Sequence, residues 1–186
     1  MATRPGPTLR ERQAPLKARY GADPESARLT ITVRSATEGD DPLRCRIATT
    51  TAGEGREAVT WEVGTHPMAG GTDEVACSGD VLLASLAACQ EITLRMVAAA
   101  MGVALRSVEV TVSGEMDFRG TMGLDPAVPV GFQRIRTEVR VVADAPEDRL
   151  QRLAQRAERY CVVASTLRQP PELTTTIETE DSGRRT

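Results

Sequence analysis

The sequence predicts an α+β domain of order βββ-α-ββ-α-β, with antiparallel strands set around one long central helix. Two observations carry that expectation. Short segments alternating apolar and polar residues recur along the chain, and one apolar stretch, Val81 to Val103, is far too long for a strand.

Three alternating segments come first. Leu29, Ile31 and Val33 alternate with Thr30, Thr32 and Arg34. Cys45 and Ile47 alternate with Arg44 and Arg46, and Val59, Trp61 and Val63 with Thr60 and Glu62. A period of two with β-branched residues is the pattern of a half-buried antiparallel strand. The separators, Glu38 to Pro42 and Gly53 to Gly55, are turn-like.

A loop with Gly64, Pro67, Gly70 and Gly71 leads to Ser78, which suits the N-cap of the long helix. Asp80 falls in its first turn, where a negative charge suits the helix dipole. The helix is apolar nearly all round, which predicts burial on several sides. Gly102 is its expected stop. Val108, Val110 and Val112 then alternate with Glu109, Thr111 and Ser113, and Ile135, Thr137, Val139 and Val141 with Arg134, Arg136, Glu138 and Arg140. Pro146 suits the first turn of a further helix, in which Leu150, Leu153, Ala154, Ala157 and Cys161 recur at helical spacing. Leu173, Thr175 and Ile177 suggest a last strand. Residues 1–26 read as an N-terminal arm with one short helix near Pro15, residues 27–180 as the domain, and residues 181–186 as a disordered tail.

Composition narrows the function. Apolar residues make up 40% of the 186 and aromatics only 3%, so the core is built from Val, Leu, Ile, Ala and Met. The net charge of −3 lacks the basic excess of a nucleic-acid binder. The first dozen residues have no secretory apolar core. Gln90, Glu91 and Arg95 interrupt the long helix, which argues against a membrane span. The reading is a cytoplasmic protein, in a reducing compartment where a disulfide is more often catalytic or sensing than structural.

Two of the four cysteines stand out. Cys89 is at the middle of the apolar helix and Cys161 at the end of the second. Such a pair is either two inert core thiols or one redox couple assembled by folding. A thiolate is the nucleophile, and a mid-helix cysteine needs a cation or donor from another segment to become one. Cys45 reads as an inward strand residue and Cys77 as a loop thiol. His66, the only histidine, lies in the Gly/Pro-rich loop. No CxxC or second histidine is present, so no metal site is expected. Glu91 and Arg95 are spaced to pair on one helix face, and Gln90 could hydrogen-bond a substrate oxygen.

The run Leu82-Leu83-Ala84-Ser85-Leu86-Ala87-Ala88-Cys89-Gln90-Glu91-Ile92-Thr93 resembles the central helix of the OsmC/Ohr family, the osmotically inducible and organic hydroperoxide resistance proteins. Cys161-Val162-Val163-Ala164-Ser165-Thr166-Leu167 resembles that family's second cysteine motif, and Gly114 to Gly123 and Gly131-Phe132 also fit. The resemblance covers roughly residues 28–180. It implies an OsmC-like fold, an intertwined homodimer with the long helices at its centre, and active sites at the subunit interface. It further implies a peroxidase that needs no cofactor. Cys89 would attack an organic, fatty-acid-type hydroperoxide, Cys161 would close the Cys89–Cys161 disulfide, and a dithiol such as a lipoylated protein would restore the thiols. Leu86 and Gln90 would line the substrate pocket.

The chain departs from the family pattern at three points. Gly79 stands where peroxidase members carry a glutamate, with Asp80 beside it. The loop from Gly64 to Cys77 has no arginine, which leaves His66 or Arg56 to stabilise the thiolate and Asp80 to orient that cation. Val162 replaces the usual proline. Two other readings stand beside the peroxidase: a non-catalytic relative that binds a small apolar ligand at the dimer cleft, and a redox sensor using the same two thiols.

Overall fold

A computed structural model describes residues 6–37, 39–50 and 57–179. Strand β1 (Val33–Thr37) pairs antiparallel with β2 (Arg44–Thr50), and β2 with β3 (Glu57–Gly64). Trp61 lies opposite Ile47, and Val63 opposite Cys45. Helix α2 (Ser78–Met101) follows. Strands β4 (Leu105–Glu115) and β5 (Arg134–Ala143) then form a second antiparallel sheet, joined through the one-turn α3 (Phe118–Thr121). The order expected from sequence is the order observed through β5.

Each stretch takes the element its pattern dictates. Along β4, Val108, Val110 and Val112 are half-buried while Glu109, Thr111 and Ser113 face outward. Gly102 ends α2 in the left-handed conformation, φ 65°, a position that favours glycine. Arg149 reinforces that end by donating to the Met101 carbonyl at 2.6 Å. The main core joins α2 to α4 (Glu147–Tyr160) through Leu94, Ala98, Val103, Leu153 and Ala157. A second, smaller cluster of Leu86, Cys161 and Ala164 lies nearer the start of α2, with Cys89, Val112, Ile135 and Val163 packed against it.

The structure differs from the sequence reading at five places. The first ladder begins at Val33, not Leu29: Leu29 and Ile31 are 66% and 75% exposed. The last strand does not form: residues 170–179 join neither sheet, and Leu173 and Ile177 are 91% and 83% exposed. Alternation is present in both segments, but neither pairs with an edge of the two sheets. Cys77, not Ser78, is the N-cap of α2. The second helical region breaks at Cys161, which is extended (φ −74°, ψ 109°) and opens a separate helix α5 (Val162–Arg168). Finally, α2 is less buried than its apolarity predicted. Only Leu86, Leu94 and Ala98 are buried, while Leu82, Ile92 and Met96 are exposed. By length and composition alone α2 could cross a membrane, with a mean hydropathy of 1.5. The arm does fold in part: α1 (Leu9–Ala22) runs through Pro15 and is closed at its start by a Thr8–Glu11 capping box.

Candidate functional site

The break at Cys161 builds the first site. By ending α4 and starting α5 there, the chain turns the first backbone N–H groups of α5 toward Cys89 on α2. The backbone N–H groups of Val163 and Val162, the Cys161 thiol and the Thr93 hydroxyl one turn along α2 are the donors near the Cys89 sulfur that favour its thiolate. Burial alone would push the Cys89 thiol up, because a charge loses solvation there. The four donors outweigh it, and its pKa is lowered. Cys161 moves the other way. It is fully buried, and burial together with the neighbouring Cys89 charge raises its pKa, against a bond from the Ala164 N–H. Both thiols are reduced.

Two adjacent thiols are thereby made unequal. Cys89 is the one that ionises first, and it is partly accessible; Cys161 stays protonated and donates to it. This division of labour suits an attacking and a resolving thiol. The principal partners of the Cys89 sulfur are neutral donors.

A cavity of about 420 Å³ lies between α2, β5 and α4, and neither thiol lines it. Gln90 and Leu94 line one side, and Ile135, Val139, Val141 and Leu153 the others. Ile135 also packs on the thiol cluster, so cavity and thiols share a wall. The Gln90 side-chain oxygen is buried without a hydrogen-bond partner, which is costly unless a donor completes it. Leu86, 4% exposed, packs against Cys161 within the thiol cluster and does not line the cavity.

The remaining expected residues gather elsewhere. Asp80 and Cys77 form a reciprocal cap: the Cys77 N–H donates to the Asp80 carboxylate at 2.9 Å, and the Asp80 N–H to the Cys77 sulfur at 3.4 Å. The Cys77 N–H first, and the Cys77 side chain second, hold the Asp80 carboxyl below its ordinary range, with a smaller push from His66. His66 accepts the Met68 N–H on Nδ1 at 3.1 Å, and its ring lies 5.1 Å from that of Phe118. His66, Asp80 and Cys77 thus share one cavity at the start of α2, and Cys89 does not line it. Arg56 lies outside the described residues. Gly79 carries no carboxylate. A Cβ there would stand 3.2 Å from Phe132 Cζ, and one at Gly114 only 2.5 Å from Phe132 Cε1. The Phe132 ring lies across both glycines.

Sequence reasoning missed Thr93, the amides of Val162 and Val163, and Cys77. Thr93 was findable, being one helical turn from Cys89. The amides carry no side-chain signal at all. For Cys77, the signal was an aspartate three residues later, the spacing of a capping box.

The family model described as OsmC-like protein matches residues 71–176, more than half of the chain. The chain belongs to the OsmC-like family. No curated protein matches it. Among solved structures, this OsmC-like chain is similar to the OsmC-like protein of Mycoplasma pneumoniae at 15% identity, with a TM-score of 0.59 over 76% of this chain and 89% of that one. An organic hydroperoxide resistance protein from Legionella pneumophila is 17% identical, with a TM-score of 0.54 over 76% and 90%. One from Elizabethkingia anophelis is 16% identical, with a TM-score of 0.55 over 77% and 91%. At these identities the likeness establishes the OsmC-like fold: small antiparallel sheets with a long helix.

Proposed function

We propose that this OsmC-like protein is a thiol peroxidase that reduces organic, fatty-acid-type hydroperoxides. The observation that carries the reading is the opposed ionisation of two touching thiols, Cys89 lowered and Cys161 raised. The Cys89 thiolate attacks the outer peroxide oxygen. The O–O bond breaks, an alkoxide leaves and takes a proton, and Cys89 becomes a sulfenic acid. Cys161 then attacks that sulfur, water departs and a disulfide forms, ahead of irreversible over-oxidation. A dithiol, such as a lipoylated protein, reopens the bond by exchange. The aliphatic part of the cavity, which shares Ile135 with the thiol cluster, suits a bulky hydrocarbon better than hydrogen peroxide, with Gln90, Thr137 and the Glu158–Arg168 pair as its polar lining. The unpartnered Gln90 oxygen can accept the hydroperoxide O–H.

The same reading includes a cytoplasmic homodimer. An exposed stripe on α2, Ser85, Ala88, Ile92, Met96 and Ala99, recurs at helical spacing with small residues that permit close helix approach. The exposed alternating segments around Ile31 and Ile177 are two further surfaces that a second copy would cover.

The test is cumene hydroperoxide consumption with dihydrolipoamide as reductant. The parent turns over. Cys161→Ser consumes about one equivalent and stalls, and Cys89→Ser consumes none. Parent-like turnover by Cys89→Ser would sink the proposal. A parent that binds apolar ligands but consumes no peroxide would favour the non-catalytic alternative, for which the absence of a carboxylate at Gly79 is the supporting observation.

A further inference from the structure

Two cavities meet at one ion pair. The cavity between α2, β5 and α4 has Glu158 and Arg168 in its lining. So does a second cleft, of about 340 Å³, bordered by α4 and α5 and the residue after it, whose other lining residues are Gln155, Arg159, Ser165 and Gln169. The pair ties α4 to α5 across the break at Cys161, with Arg168 Nη2 donating to Glu158 Oε1. Both side chains are more than half exposed, and an exposed ion pair opens at little cost.

The two spaces differ in character. The first has aliphatic walls, Leu94, Ile135, Val139, Val141 and Leu153 among them. On its α2 side stands Gln90, whose buried side-chain oxygen has no donor. The second has no aliphatic side chain in its lining. Its one carboxylate, Glu158, stands against two arginines. Glu158 takes one nitrogen of Arg168, and a guanidinium has five N–H donors to give. Among the described residues no carboxylate pairs with Arg159. An orphan acceptor, a stretch of aliphatic wall and cationic donors in excess therefore follow one another along a continuous lining. The complementary molecule is amphiphilic, with an anionic head.

We propose that the joined cavities bind a fatty-acyl ligand as the free acid. Arg168 and Arg159 hold its carboxylate, the aliphatic cavity holds its chain, and Gln90 Oε1 accepts an O–H borne by the chain. The proposal deepens the peroxidase reading, on which it rests for the fate of the bound ligand: it makes the favoured hydroperoxide an acid and not an ester, and makes Arg168 a specificity residue. An ester or alcohol of the same chain fills the aliphatic space equally well and brings no charge, so the head group decides. Arginine suits a carboxylate through its planar fork of donors. Glu158 competes with the ligand for the Arg168 guanidinium, so the two members of one ion pair act on binding in opposite directions.

The experiment is calorimetric titration of the full-length protein with oleate, methyl oleate, oleyl alcohol and oleylamine, each below its micelle-forming concentration. Oleate should bind about tenfold tighter than the ester or the alcohol, as expected for one charge-assisted contact, and the preference should shrink as salt is raised. Arg168→Gln should abolish the preference, and Arg159→Gln should reduce it. Glu158→Gln breaks the same ion pair and should strengthen oleate binding. A purely structural pair would make Arg168→Gln and Glu158→Gln act alike, and that result overturns the proposal. So does equal binding of oleate and methyl oleate, no binding of oleate, or oleylamine binding tighter than oleate. A protein that binds oleate in this pattern but consumes no hydroperoxide upholds the head-group site and sinks the peroxidase reading. One that consumes cumene hydroperoxide but binds oleate and methyl oleate alike does the reverse.

Discussion

Replacing Thr93 by valine tests how Cys89 is activated. The substitution keeps the branched shape and removes one hydroxyl donor from the Cys89 sulfur. A hydrogen bond to a charged group is worth about 1.5 kcal/mol at the low end, and about 1.4 kcal/mol is a tenfold change in an equilibrium. The bond favours the thiolate, so losing it moves the Cys89 pKa upward. Below that pKa the thiolate fraction, and with it the alkylation rate, should fall about tenfold. Well above it the two proteins should react alike. The assay is the pH profile of Cys89 alkylation by iodoacetamide, with Cys45 and Cys77 replaced by serine in both proteins. Superimposable profiles would refute activation by neutral donors. A parent profile that collapses when salt is raised would instead point to a cation.

Further outcomes follow from the packing and the caps. Gly114→Ala places a methyl group where a Cβ would be 2.5 Å from Phe132; overpacking of this kind costs about 1–3 kcal/mol, read as a lowered thermal midpoint. Ile92→Glu puts a charge into the exposed apolar stripe of α2, and light scattering should find the parent dimeric and the variant monomeric if the proposed homodimer forms through that stripe. Asp80→Ala removes half of the reciprocal cap on α2 and should cost about 1 kcal/mol at neutral pH. The sign with pH is set by the lowered Asp80 pKa. Its contribution is present above the ordinary carboxylate range and is lost as pH falls through the folded-state value. Denaturation curves of variant and parent should therefore converge in strong acid.

The fold was legible where a local pattern answers to a local cause. Val108 to Val112 alternate because β4 has one covered face, and Gly102 ends α2 because a left-handed residue is needed there. Legibility failed where a pattern finds no partner within the chain's own folded surface. Leu173 and Ile177 alternate as a strand does, yet their alternation names no edge to pair with. The helix registered as apolar all round, but periodicity cannot say whether its faces are covered by the same chain. At the site, Cys89 and Cys161 were legible as residues and not as neighbours. Their contact depends on α4 stopping at Tyr160, and nothing in Arg159-Tyr160-Cys161-Val162 breaks a helix as a proline or glycine would.

That unmarked break has a chemical consequence. Had α4 continued through Cys161, the amides of Val162 and Val163 would have bonded to carbonyls within the helix, and Cys89 would face no donors from that segment. Starting a new helix leaves those N–H groups without partners in their own element, and the Cys89 sulfur takes them. Position 162 can lose its N–H without harm to α5, since the first residue of a helix has no partner there, whereas position 163 lies within the first turn and feeds the stronger of the two amide bonds. An activating amide needs no lysine or arginine and survives changes in the loop between Gly64 and Cys77. On this account, the loss of the carboxylate at Gly79 leaves the thiolate supported, because its support comes from the α5 amides and not from an ion pair at the start of α2.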